Sequence, residues 1–398
     1  MEHTQSAKPG KHIVFAYADT GGGHRATAQA AAKAMHQLYG EAFTTELVNA
    51  ISYLPYPFNQ MEKAYPLFVN SLTPAYHAFW QMTDTPQYVG FIRHYIELTS
   101  KAQGEAFINK YPADLYVSCQ PILDQFLPGA VEQSHRQVPV IAIVSDLVTV
   151  HAGFWSPKID HFMVPTEDAR QRALENDVPA YRISITGQAV APDFALRAKQ
   201  VRAQHGAQVR RDLGLDPTRL TVLLMGGGDG MGRLVETVQA IANSGLPIQA
   251  VAVCGRNEHA RKLLGDVQTD VPVLALGFRN DIPELMGASD VLVTKAGPGT
   301  ICEGFIAELP IILYDAVPGQ ETGNIDYVVG KGAGAWCPSP DRVVDQLRLW
   351  INQPERMAHA RQASIALAKS DSALNIARIV AAFAQPLKQP QQRVLQST

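Results

Sequence analysis

Three places in this chain carry residue types and spacings suited to chemistry: His24 behind Gly21-Gly22-Gly23, Asp146 in Ser145-Asp146-Leu147, and the run VLVTKAGPGTICE from Val291 to Glu303. The last has the layout of a buried strand that delivers a Gly-rich turn straight into a helix. Free backbone N–H groups of a first helical turn, with the positive end of the helix dipole, bind an anion without any basic side chain. Gly297, Pro298, Gly299 and Thr300 therefore read as a phosphate site. Glu303 falls one turn inside that helix, where a carboxylate could accept hydrogen bonds from the hydroxyls of a sugar attached to the phosphate, which suggests a nucleotide. An ordinary strand-to-helix turn with Gly at its tight positions has the same appearance.

His24 precedes a helix and Asp146 follows an apolar strand, with His151 and Trp155 close behind it. A neutral imidazole or a carboxylate at such a cleft edge could take a proton near neutral pH. A His after three glycines is more often a solvated helix start than a base, and the residues alone do not choose between His24 and Asp146.

Competing motifs are weaker. Gly21-x-Gly23-x-x-Ala26, with Glu46 about 20 residues on, meets the loose dinucleotide fingerprint, but Glu46 falls inside a strand instead of at its end. GGGDGMG at 226–232 approaches a Walker A loop, yet Arg233 and Leu234 stand where Lys and Ser or Thr are required. The chain has no Asp-x-Asp pair, the usual clamp for a divalent metal on a nucleotide sugar. The expectation is a mechanism with neither metal nor cofactor.

The elements that must hold these residues follow a strand-turn-helix scheme. Strand-like runs are expected at 12–18, 45–48, 115–118, 138–144, 161–164 and 183–185. The scheme restarts at 221–225 and continues at 248–253, 273–275, 291–294 and 311–314, with helical stretches between. The fold class is thus α/β with two βα-type lobes and a cleft between them, since doubly wound lobes take ligands at the carboxyl ends of their strands. The expected division is 1–188, 189–370, a helix over 371–384 and a disordered, Pro- and Gln-rich tail over 385–398, with 187–192 as the connection between lobes. The Arg- and Gln-rich segment 197–211 reads as a solvated helix.

The 398 residues, 46% hydrophobic, are enough for two cores of ordinary size. A net charge of −3 gives no global basic field, so a nucleic-acid partner is not supported. Cys119, Cys254, Cys302 and Cys337 are scattered without zinc-type spacing and fit free thiols in a reducing, cytoplasmic compartment. The N-terminus lacks a signal peptide pattern and no run approaches the roughly 20 apolar residues of a membrane span, so membrane contact is expected to be peripheral. Eleven aromatics crowd Tyr53 to Tyr95. They read either as core helices of the first lobe or as an apolar flap for a bilayer or lipid chain.

TGGGHRATAQA from Thr20, SDLVTVHAGFW from Ser145, PTEDARQRAL from Pro165, MGGGDGMG from Met225, and GFRNDIPELMGASDVLVTKAGPGTICE with ELPII and PGQETGN from Pro318 resemble the monogalactosyldiacylglycerol synthases and the related processive diacylglycerol glucosyltransferases, of glycosyltransferase family 28. The likeness runs from about residue 12 to 384. A more distant similarity extends to the N-acetylglucosaminyltransferase that makes lipid II. The resemblance implies the GT-B fold, with the donor in the second lobe, the acceptor in the first, and 371–384 as a helix crossing back. Carried over by position, it assigns the diphosphate to Gly297, Gly299 and Thr300, the ribose to Glu303, and the uracil to the backbone near Phe278 and Arg279. The donor sugar falls to Gln320, Glu321 and Asn324. Gly228 joins the donor side, Gly22, Gly23, His151 and Trp155 the acceptor side, and His24 and Asp146 compete as base.

The implied activity is inverting transfer of a hexose, galactose in preference to glucose, from a UDP-sugar to the sn-3 hydroxyl of diacylglycerol. The partners would be UDP-sugar, diacylglycerol and a membrane surface containing anionic lipids, approached from the cytoplasmic face. A UDP-sugar enzyme with another acceptor, an epimerase, and a non-catalytic UDP-sugar or membrane binding protein are the alternatives.

Overall fold

The computed structural model describes residues 10–20, 22–71, 73–226, 233–265 and 270–385. The apolar runs of the sequence become twelve strands in two six-stranded parallel sheets. Strands covered by helices on both faces lose the in-out alternation of a half-exposed strand and read as continuous Val, Ile and Leu. VIAI and IQAVAV are buried at every position for this reason.

The first sheet contains β1 (Lys11–Tyr17), β2 (Phe43–Asn49), β3 (Leu115–Ser118), β4 (Val140–Ile143), β5 (His161–Val164) and β6 (Ile183–Ile185), in the order β2-β1-β3-β4-β5-β6. The second contains β7 (Leu220–Met225), β8 (Ile248–Val253), β9 (Val273–Leu276), β10 (Val291–Lys295), β11 (Ile311–Asp315) and β12 (Gly334–Trp336), ordered β12-β11-β10-β7-β8-β9. Each order reverses once, between β1 and β3 and between β7 and β10. Crossovers leave on opposite faces there, which opens a crevice at the carboxyl ends of the strands. The Gly22-Gly23 turn follows β1 and the Gly297 turn follows β10, so both lie on such crevices.

Every strand expected from sequence is present. The three-residue β12 was not anticipated. The helical segment over 197–211 is solvated on one face only. Arg202 donates to the carbonyls of Ala307, Met286 and Ser289, Arg210 to Ala288 and Asp290, and Arg197 to Glu284. Arg202 and Arg210 answer carbonyls at the ends of neighbouring helices, Arg210 and Arg197 also pair with the Asp290 and Glu284 carboxylates, and desolvation pushes Arg202 down to about 10.

The helix Ser372–Ala384 belongs to the first core. Its Ala373, Ile376, Ala377, Val380 and Ala381 pack with Ala28, Ala31 and Met35 of helix α1 (Gly23–Tyr39) over Ile13 and Phe15 of β1. The outward crossing near Gly187 lies beside this return crossing. Gly187 has φ of 89° and a Cβ there would sit 2.8 Å from the Cβ of Lys369, which leaves glycine as the residue that fits.

The aromatics between Tyr53 and Tyr95 divide between core and surface. They occupy α2 (Met61–Ser71), α3 (Thr73–Thr83), α4 (Pro86–Thr99) and the loop ahead of them. Tyr53, Phe58 and Tyr95 pack on the first core, whereas Phe79, Phe91, Tyr56 and Met82 face outward. Among the described residues no helix is long and apolar enough to cross a membrane. The tail over 386–398 lies outside the described residues.

Candidate active site

The helix Pro298–Ile306 starts with an N-terminus that nothing in its own sequence satisfies. Gly297 is the N-cap without a side-chain bond, Pro298 lacks an N–H, and the first turn holds no acidic residue. The first intrahelical bond runs from Ile301 N to Gly297 O, so the N–H groups of Gly299 and Thr300 are left for a ligand. A Cβ at Gly299 would meet nothing within 4 Å, so open space lies above the turn. Helix α1 opens in the same way. Gly22 caps it at φ 82°, without a side-chain bond, and a Cβ at Gly22 or Gly23 would again meet nothing.

Between these two helix starts runs a continuous chain of polar contacts. His24 Nδ1 lies 3.0 Å from Ser145 Oγ. The adjacent Asp146 is 5% exposed, and its Oδ1 accepts from Gln320 Nε2 at 3.5 Å. Glu321, next in sequence, accepts from Lys295 Nζ at 2.6 Å and from the Val317 N–H at 2.9 Å. Lys295 closes β10, and its Nζ is 3.7 Å from where a Gly297 Cβ would stand. The two lobes also meet where the Gly323 N–H donates to Thr149 Oγ1 at 3.1 Å.

Burial sets the charges along this chain. Desolvation raises the Asp146 carboxyl to about 7, partly offset by the Gln320 bond and reinforced by Glu321. Desolvation lowers His24 to about 4, opposed by a hydrogen bond to the Cys119 backbone. The imidazole is therefore neutral at physiological pH, while Asp146 titrates within it. The Glu303 carboxyl has no hydrogen bond or ion pair among the described residues, and desolvation lifts it to about 7.

Other residues singled out from sequence have mixed placements. Phe278 is 59% exposed beyond the end of β9, with its ring free to stack, and Arg279 is paired with Asp281. Asn324 donates from Nδ2 to the Ala296 carbonyl at 2.8 Å, which ties the helix Thr322–Gly330 to the phosphate turn. His151 is committed at both nitrogens: Nδ1 accepts from the Gly153 N–H and Nε2 meets Thr83 Oγ1 at 3.1 Å. Trp155 is buried in the first core against Phe154 and Phe162. The His151 ring also meets that of Trp80 edge to face, with centroids 4.6 Å apart, so the loop behind Asp146 is held by α3. Gly228 lies outside the described residues. Sequence reasoning missed Lys295, Tyr65 and Tyr76; a lysine closing the strand that feeds a phosphate turn was the available signal for the first.

Two Rossmann-like lobes with an uncapped helix start on each side of a shared cleft are the GT-B architecture. Residues 24–190 match the family model for monogalactosyldiacylglycerol (MGDG) synthase, and residues 221–376 match that for the glycosyltransferase family 28 C-terminal domain. Monogalactosyldiacylglycerol synthase 1, chloroplastic, of Arabidopsis thaliana is 32% identical over 386 residues, covering 92% of this chain and 70% of the relative. Its namesake 2 from the same plant is 32% identical over 356 residues, covering 86% and 74%. Among solved structures, MurG of Acinetobacter baumannii superposes with a TM-score of 0.60 at 16% identity, over 94% of this chain and 99% of that one. A UDP-GlcNAc 2-epimerase of Neisseria meningitidis bound to UDP-GlcNAc gives 0.58 at 12% identity, over 93% and 98%. These two likenesses concern the fold. The chain belongs to the monogalactosyldiacylglycerol synthase family, and it is a hexosyltransferase of glycolipid synthesis.

Proposed function

We propose that the enzyme moves a hexose, galactose in preference to glucose, from a UDP-sugar to the sn-3 hydroxyl of 1,2-diacylglycerol, giving a β-monoglycosyldiacylglycerol. The observation that carries this reading is the carboxylate Asp146, poised near pH 7, set between an acceptor-side helix start and an uncapped donor-side one. The family's printed name supplies the galactose and the diacylglycerol. The chemistry is a single displacement. Asp146 takes the acceptor hydroxyl proton as its oxygen attacks the anomeric carbon, the bond to the diphosphate breaks with its electron pair, and the helix start at Gly297–Thr300 stabilises the departing UDP. His24, neutral and held by Ser145, orients the acceptor side. Positive charge at the diphosphate comes from the helix and Lys295, so turnover is expected to persist in excess chelator, with no resident cofactor.

Glu303 holds the ribose and Phe278 covers the base. In the free enzyme Glu303 is raised to about 7, and ribose hydroxyls donate more strongly to its ionised form, so donor binding drives its pKa down and releases a proton. UDP affinity should rise between about pH 6 and 8. Calorimetry in two buffers of different ionisation enthalpy should show proton release near pH 7, and Glu303→Gln should abolish it. No buffer dependence in the parent enzyme would remove Glu303 from the ribose.

The acceptor enters from a membrane surface on the cytoplasmic side, where the outward-facing Phe79, Phe91 and Met82 of α3 and α4 lie against lipid, and anionic lipids strengthen that contact. The deciding assay offers UDP-galactose and UDP-glucose in parallel, with diacylglycerol in mixed vesicles, and reads both lipid product and UDP. A galactolipid formed faster than a glucolipid is the expected result. UDP release without lipid product would give the enzyme another acceptor.

A further inference from the structure

Among the described residues the α2–α3 pair meets the opposite lobe at the loop 317–320, which includes the residue beside the base. Tyr65 of α2 and Tyr76 of α3 both donate their hydroxyls to Gln320 Oε1, at 3.2 and 3.0 Å. The two rings meet edge to face at 6.2 Å, and with Trp80 they pack on Val317 of the donor loop. Gly319 of that loop has φ of 85°, and a Cβ there would fall 2.7 Å from the Trp80 ring. The loop is thus shaped to receive the hairpin.

With its carbonyl oxygen claimed twice, the Gln320 amide has one orientation, since the two ends of an amide are not interchangeable as hydrogen-bonding groups. Its nitrogen faces Asp146. We propose that Tyr65 and Tyr76 are positioning residues that lock Gln320 so that it donates to Asp146, making the seated α2–α3 hairpin a precondition for a correctly tuned base. The inference rests on the glycolipid transferase reading above, in which Asp146 accepts the proton. The groups facing Asp146 are Glu321, neutralised by Lys295, the two tyrosines, and His24 through Ser145. Burial raises both tyrosines further above their usual value, so they are neutral donors throughout the working range. Gln320 is then the donor that stabilises the ionised carboxylate.

The test measures kcat at saturating UDP-sugar against pH, where donor affinity no longer contributes, for the full chain and for Tyr65→Phe, Tyr76→Phe, the double variant and Gln320→Leu. Loss of the lock should move the acid limb upward by up to about one pH unit, the worth of one hydrogen bond to a carboxylate. The double tyrosine variant and Gln320→Leu should shift alike, and combining them should add nothing. The phenyl ring preserves the packing, so melting temperatures should hardly change. A rate loss with the limb in place would reduce the tyrosines to packing and overturn the proposal. Absence of turnover in the parent enzyme would instead overturn the transferase reading, so the two failures are distinguishable.

Discussion

Asp146→Asn should lower kcat by roughly 10² to 10⁴ while leaving UDP affinity within a few-fold of the parent. Asparagine keeps the shape and the contact with Gln320 but cannot accept the acceptor's proton. The pH profile carries the sharper signature. With Asp146 raised to about 7, the protonated form dominates at pH 6, so the rate of the parent enzyme should climb as pH rises through 7. The residual rate of the variant should lose that limb. His24 behaves differently, because burial pushes it to about 4 and its ring already meets Ser145. Its replacement should cost about tenfold, the worth of one hydrogen bond, without moving the limb. A dead His24→Ala beside an active Asp146→Asn would exchange their roles.

Lys295→Met should damage both stability and donor binding. The ion pair with Glu321 is largely out of water, with side chains 18% and 6% exposed. Removing one partner of such a pair leaves an uncompensated buried charge, a loss on the order of 3 kcal/mol. Thermal denaturation should show it directly. Pairing Lys295→Met with Glu321→Gln removes the orphaned charge, keeps an acceptor for the Val317 N–H and should restore most of the melting temperature. UDP affinity should remain down by roughly 10- to 100-fold in both variants, the worth of a charge-assisted hydrogen bond to the diphosphate. Recovery of donor binding in the double variant would make Lys295 a purely structural residue.

The strands were legible because most parallel strands between helix layers are runs of apolar residues, and β7, β8, β9 and β10 are each followed within two residues by a glycine where the chain turns. β12 escaped because three residues beginning with Gly334 carry no pattern. The arginines over 197–211 misled for a physical reason: charge counted along a helix does not reveal which carbonyls the side chains meet. The base and donor candidates were found from loops after strands. What holds them was not, since Tyr65 and Tyr76 reach Gln320 across 255 and 244 residues, and a tyrosine in an aromatic-rich stretch reads as core. His151 and Trp155 were picked out by proximity to Asp146 in sequence; the fold sets His151 against Thr83 and Trp80, and Trp155 against Phe162.

The helix Ser372–Ala384 covers the apolar face of α1, so the first lobe is assembled from both ends of the chain. During synthesis that lobe's strands emerge first, but Ala28, Ala31 and Met35 lack the part of their cover that comes from Ala373 to Ala384 until residue 384 has been made. The first lobe to be translated is therefore the last to be completed. A fragment ending at residue 188 should be sticky and poorly soluble, and should be rescued by adding the helix in trans.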